Sequence, residues 1–149
     1  MVDDPFALDR FVAAQDAGGT FDRALAELRS GGKRSHWVWF VFPQVAGLGR
    51  SPAARTFAIS GMDEARAYLA HPVLGPRLRE AVLAVSGLSS HDPVDVMGSS
   101  IDAVKLRSSM TLFAAAASDD DDGRLYRGVL DQYFDGVEDP ATVALLTDT

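Results

Sequence analysis

His36-Trp37-Val38-Trp39-Phe40-Val41-Phe42-Pro43-Gln44 is the stretch on which the fold turns. Its six consecutive apolar residues, bounded by a histidine and followed by a proline, fit a buried strand or a buried turn of helix. Periodicity cannot separate the two in so short a run. Aromatic and β-branched content favours a strand by propensity. A lone strand would leave its backbone groups without a partner, and no other segment reads clearly as a strand. The stretch is therefore expected to be a buried helical turn.

On either side of it the helical signals dominate. Phe6, Leu8, Phe11, Val12 and Gln15 mark a first amphipathic helix that ends at Gly18-Gly19. Thr20 is placed to cap a second, with Phe21, Leu25 and Leu28 on its apolar face and Gly31-Gly32 closing it. Ser60 reads as the cap of a helix over 60–71, stopped by Pro72, and Leu74, Leu78, Val82 and Val85 form the next stripe, ended by Gly87. Asp92-Pro93 and Asp139-Pro140 each look like an N-cap followed by proline at the first helical position. A long helix is expected over 100–117, and another carrying Leu125, Tyr126, Val129, Tyr133 and Phe134. The acidic block 119–122 between them reads as a solvated loop. The expectation is all-α: a single-domain bundle of about seven to eight short helices spanning 1–149.

Composition bounds the function. A chain of 149 residues, 47% hydrophobic and 23% charged, is the size and make-up of one globular domain. No apolar run approaches the roughly 18 residues of a membrane helix, and the acidic start Met1-Val2-Asp3-Asp4-Pro5 is no signal peptide. Zero cysteines exclude disulfides and thiolate chemistry, and a cytoplasmic location fits best. The pI near 4.8 argues against general nucleic-acid binding. Residues 1–114 carry 12 acidic and 12 basic side chains, so the formal charge of −7 lies wholly in 115–149, with 9 acidic and 2 basic. Between Glu27 and Asp63 there is no carboxylate, while Arg29, Lys33, Arg34, Arg50 and Arg55 all fall there. That excess is either a solvated basic surface facing the acidic C-terminal region or an attraction for an anionic ligand.

The string His36 to Gln44, continuing Val45-Ala46-Gly47-Leu48-Gly49-Arg50-Ser51, resembles the DUF1810 family, a bacterial domain family of unknown function sometimes labelled calpastatin. Glu64-Ala65-Arg66-Ala67-Tyr68-Leu69-Ala70-His71-Pro72, Leu74-Gly75-Pro76-Arg77-Leu78, and Gly98 to Asp102 with Lys105-Leu106 and Ser108-Ser109-Met110-Thr111-Leu112-Phe113 resemble the same family. The Gly136, Asp139 and Thr142 spacing fits as well, whereas Met97 stands where the family usually has an aromatic. The resemblance covers nearly the whole chain. It implies a compact all-helical fold and brings no established activity with it.

Several motifs fail on spacing. Gly32-Lys33-Arg34-Ser35 lacks the adjacent Lys and Ser of a phosphate loop, and Glu27 stands where its earlier glycine belongs. A calcium loop with Gly123 at its sixth position would put Val129 where a bidentate Glu is needed. His36, His71 and His91 lack ligand spacing, so no metal or cofactor is expected. Lys105-x-x-Ser108 reverses the order of the Ser-x-x-Lys acyl-enzyme motif.

What survives is an assembly. On a helix from Ser100, steps of three and four bring Asp102, Lys105 and Ser109 into one stripe beside Leu106 and Phe113. The set reads as a core-ordering ion pair or as a Lys donor held by Asp102 for a ligand. In 47–51, two glycines permit close backbone approach and Ser51 can cap the following helix, as a plain turn or as part of an anion site. Arg77 either joins an anion clamp or pairs with Glu64 or Glu80. Trp37 and Trp39 are core anchors first and stacking surfaces second. The leading reading is a domain that binds a polar or anionic, nucleotide-like small molecule, with hydrolysis of that molecule as the form of activity to test. Its contacts would be Lys33, Trp37, Gln44, Arg50, Ser51, Arg77, Ser108 and Ser109. His36 is its acid–base group, since histidine alone titrates near neutrality unperturbed, with Lys105 and Asp102 beside it. The contrasting reading is a non-catalytic module that meets a protein partner through the acidic C-terminal region. A cleft joining residues 47–51 to the Lys105 face, lined by His36, Lys105 and Ser109, would favour the first; its absence would favour the second.

Overall fold

The helical turn prevails at 36–44 because its backbone finds partners within its own segment. In the computed structural model, which describes residues 3–147, the amides of Val41 and Phe42 donate to the carbonyls of Trp37 and Val38 at 3.2 and 2.9 Å. The Phe40 carbonyl accepts from the side-chain amide of Gln15 at 2.7 Å. The β pairing found among the described residues is an isolated parallel bridge between Val45 and Ile59.

The helices run in the order α1 (Asp9–Asp16), α2 (Thr20–Arg29), α3 (Val38–Val41), α4 (Pro52–Thr56) and α5 (Met62–Ala70). There follow α6 (Leu74–Ser86), α7 (Pro93–Met97), α8 (Ser100–Ala116), α9 (Asp120–Phe134) and α10 (Pro140–Thr147). The fold is all-α, as expected. The helices described exceed the expected seven to eight because the turn at Val38–Val41 and the segment Pro52–Thr56 each form a short helix.

Three local expectations are corrected. Thr20 is the first residue of α2 and not its cap: Gly19, at φ +68°, holds the cap position, and the Thr20 hydroxyl donates back to the Ala17 carbonyl at 2.6 Å. Ser60 caps nothing; Gly61 precedes α5, and the Ser60 amide is held by Glu64 Oε1 at 2.9 Å. The acidic block is helical. Asp119 accepts from the Asp121 amide at 2.8 Å as the cap of α9, and Asp120, Asp121 and Asp122 form its first turn. Carboxylates there face the positive end of the helix dipole, which offsets their mutual repulsion.

Helix α8 is the axis of the bundle and contacts α3, α5, α7, α9 and α10. Residues 108–113 are all buried, so this stretch is enclosed on every side, as a central helix must be. Phe113 lies 5.2 Å from the Tyr68 ring and 6.3 Å from that of Tyr126, centroid to centroid, joining α5 and α9 through α8. Trp37, Val38, Val41 and Phe42 are buried in the same apolar cluster. No described helix is long and apolar enough to cross a membrane.

The turn between α7 and α8 fixes one later participant. The Lys33 amide donates to the Val96 carbonyl at 2.7 Å, and Gly98 adopts φ +82°. A Cβ on Gly98 would stand 2.8 Å from the Lys33 carbonyl oxygen. Gly98→Ala combines left-handed strain with a backbone clash, and is expected to destabilise the protein by roughly 1–3 kcal/mol. Urea unfolding measures this, and an unchanged midpoint would contradict the packing described.

Candidate functional site

The site begins with a carboxylate that organises a loop. Glu27, near the end of α2, accepts from the amides of Arg34 and Ser35 at 2.8 and 2.9 Å, from the Ser35 hydroxyl, and from the Trp37 indole N–H at 2.9 Å. Burial alone would raise its pKa, but the four donors outweigh it and hold the carboxyl at about 2. The loop so fixed delivers Lys33 to α8.

There the Lys33 ammonium meets Asp102 Oδ2 at 2.8 Å, with the two side chains 5% and 15% exposed. Lys105, 18% exposed, reaches Asp102 Oδ1 at 3.5 Å. That separation is at the long limit of a hydrogen bond, so Lys33 is the principal partner and Lys105 is the loosely held one. Each ammonium also lies over an indole, Lys33 at 5.3 Å from the Trp37 ring and Lys105 at 4.9 Å from that of Trp39. The Ser99 hydroxyl caps α8 by accepting from the Asp102 amide at 3.1 Å, which places the aspartate in the first turn. Two ammonium groups thus share one carboxylate, leaving one positive charge over.

Lys105 opens onto a cleft of about 470 Å³ between α8, α10 and the loop leading into α4. That is within the ~300–1,000 Å³ range of small-molecule pockets. Leu48, Ala54, Ile101, Val104 and Ala141 supply apolar walls, and Gln44, Arg50, Ser51, Lys105, Ser108 and Asp139 supply the polar groups. Ser51 caps α4, accepting from the Ala54 amide at 3.1 Å with Pro52 at the first helical position. A Cβ on Gly49 would stand 2.4 Å from that of Ala54, so the loop closes on α4 only because position 49 lacks a side chain.

Asp139, just before α10, also lines the cleft. Its Oδ2 accepts from the Ser108 hydroxyl at 3.1 Å and from the amide and hydroxyl of Thr142 at 3.0 and 2.6 Å. Its own amide donates to Thr111 Oγ1 at 2.9 Å. The segment before it is tied to α8 by Arg107, which donates to the carbonyls of Val137 and Glu138, both at 2.9 Å.

Gln44, Arg50, Ser51, Lys105 and Ser108 of the sequence-derived set therefore meet at one cleft, with Asp102 and Lys33 behind Lys105. The others do not join them. His36 is exposed and outside the lining. Trp37 is fully buried, its indole N–H committed to Glu27. Ser109 is buried outside the lining and its hydroxyl has no hydrogen-bond partner among the described residues. Arg77 pairs with Asp16 at 2.7 Å and Gln15 at 3.2 Å, not with Glu64 or Glu80, which are held by Arg10 at 2.8 Å and Arg29 at 3.6 Å. Among the described residues no group of three or more His, Asp or Glu side chains could hold a metal ion. Sequence reasoning missed Asp139 as a site residue, because its Asp-Pro signal reads only as a helix start, and Lys33 as the main partner of Asp102.

The sequence profile described as "Protein of unknown function (DUF1810)" matches residues 5–146. The chain belongs to the DUF1810 family. Among solved structures, this DUF1810 chain is similar to the conserved hypothetical protein Rv1873 from Mycobacterium tuberculosis. The two are 46% identical with a TM-score of 0.90, over 98% of this chain and 100% of that one. No curated protein matches the chain.

In this DUF1810 domain the Glu27 anchor makes stability pH-dependent. The folded pKa of about 2 lies below the ordinary 4.5. The contribution of Glu27 is therefore full above about pH 4.5 and is lost as pH falls towards 2. Glu27→Gln keeps one acceptor oxygen and removes the titration. The stability gap between wild type and variant, from urea unfolding across pH 2–7, is expected to shrink below about pH 4.5; a constant gap would contradict the anchoring role.

Proposed function

We propose that the domain binds a small molecule that carries one anionic group on an apolar body, held by that group at Lys105 in the cleft between 44–54 and α8. The observation that carries this reading is the surplus ammonium of the Lys33, Asp102 and Lys105 set, placed at the wall of a largely apolar cleft. Lys33 neutralises Asp102 at the shorter distance, so Lys105 has charge and donors left for a ligand. Arg50, exposed at the cleft, adds to the field at the entrance. Leu48, Ile101 and Val104 would cover the remainder of the ligand.

A nucleotide has less support than a simpler anion. The Trp37 ring is sealed in the core, and the Trp39 face is already covered by Lys105. Binding also has more support than hydrolysis. His36, the acid–base candidate, lies outside the cleft lining, and the Ser108 hydroxyl is donated to a carboxylate already holding Thr142. The cleft joins 47–51 to the Lys105 face without His36 or Ser109, which supports ligand binding in part and leaves the interaction module as the second reading. One observation counts against the module. Part of its acidic surface is spent within the chain, on the first turn of α9 and on the pairing of Asp122 with Arg79. A cytoplasmic location belongs to the same proposal.

Thermal shift and calorimetry with hexanoate, benzoate, inorganic phosphate, AMP and phosphorylated sugars test it. A monoanion with an apolar body is expected to stabilise the wild type, and Lys105→Met to weaken its binding about ten- to a hundredfold, the effect of losing a charged hydrogen bond. Stabilisation by none of these probes, or equal binding by the variant, would remove the proposal.

A further inference from the structure

Asp139 is a carboxylate whose two oxygens are used unequally. Oδ2 accepts all three donors, from Ser108 and from the amide and hydroxyl of Thr142. Oδ1 accepts none from the described residues, although the residue is only 8% exposed. Nor is Oδ1 among the sealed polar atoms, so the small exposure that remains reaches it. Asp139 lines the cleft, and an oxygen of so buried a carboxylate with no donor among the described residues is an acceptor in want of one.

Its place relative to Lys105 sets what could fill it. Ser108, bonded to Asp139 at 3.1 Å, follows Lys105 by three residues on α8. Residues so spaced are neighbours on a helix face, their Cβ atoms about 5–6 Å apart. The cleft thus offers an ammonium on α8 and, joined to the next turn of that helix through Ser108, a carboxylate at the start of α10. Resting on the anion-binding reading above, we infer that the ligand is a carboxylic acid bearing a hydrogen-bond donor, an ammonium or a hydroxyl, a few atoms from its acid group. Lys105 takes the acid, Asp139 Oδ1 takes the donor, and the apolar remainder lies along Leu48, Ile101 and Val104. An ammonium has the stronger claim, because it also neutralises the charge of Asp139.

Matched probes sharing one carbon skeleton decide the matter by calorimetry: hexanoate, 2-hydroxyhexanoate, 2-aminohexanoate and 6-aminohexanoate. At least one donor-bearing acid is expected to bind the wild type about tenfold or more tighter than hexanoate. Asparagine is as good a helix cap as aspartate. Asp139→Asn can therefore keep its amide oxygen on Ser108 and Thr142 while turning an NH₂ group towards the cleft, and the preference ratio is expected to fall to about one or below. Hexanoate binding that depends on Lys105 without any gain from the donor would overturn this inference and leave the anion reading standing. A preference that survives in Asp139→Asn would overturn the assignment to Asp139. Binding of no probe by the wild type would overturn both readings.

Discussion

The convergence of four donors on Glu27 is the constraint from which the organisation around α3 follows. It fixes Arg34, Ser35 and the Trp37 indole to α2 at once. Trp37 is then set with its ring in the core and its carbonyl turned to receive the amides of Phe40 and Val41, which opens the single turn of α3. Gln15 completes the turn from α1 by donating to the Phe40 carbonyl. An aromatic run that would favour a strand is held helical by two polar side chains from neighbouring helices. Propensity is a weak prior, and tertiary hydrogen bonding outweighs it here.

The same anchor has an electrostatic outcome. Lys33 lies just before the tethered residues, and its backbone is also pinned to Val96 beside Gly98. Its ammonium can therefore reach Asp102 in a place where water is largely excluded. A lone Asp102–Lys105 pair on one helix would be neutral and closed. The third charge, brought from a distant segment, turns a structural ion pair into a set with a surplus, and the surplus lies against the cleft.

The fold was readable in the sequence wherever a local signal and a tertiary need coincided. Asp92, Ser51 and Asp139 cap the helices their Asp-Pro or Ser-Pro signals announce. The helical pattern over 100–117 is α8. Thr20 and Ser60 show the opposite case, where a good capping residue lies one position from where the chain turns and a glycine does the turning. The acidic block 119–122 was legible as charge but not as the first turn of α9, because its repulsion is offset only once the helix and Arg79 are present. At the cleft, the stripe read from the sequence joined Lys105 to Ser109, which is buried outside the lining, whereas Arg50 and Ser51, adjacent in the chain, both line it. Lys33 with Asp102, and Ser108 with Asp139, were not legible. Their separations of 69 and 31 residues leave no trace in periodicity.

That separation has a kinetic and thermodynamic consequence for anything the cleft holds. One wall comes from α10, an eight-residue helix in which Thr142 is the buried side chain and Asp139 the tether. So short an element, tied by Asp139 at its start and packed on the core through Leu145 and Leu146, opens at lower free energy than α8 or α9. On the proposed reading, occupancy of the cleft would be linked to the docking of α10, and apparent affinity would be scaled by the fraction docked. A ligand that bridges α8 to Asp139 would in turn protect α10 from exchange and proteolysis, making the C-terminal helix the part of the molecule that reports whether the cleft is filled.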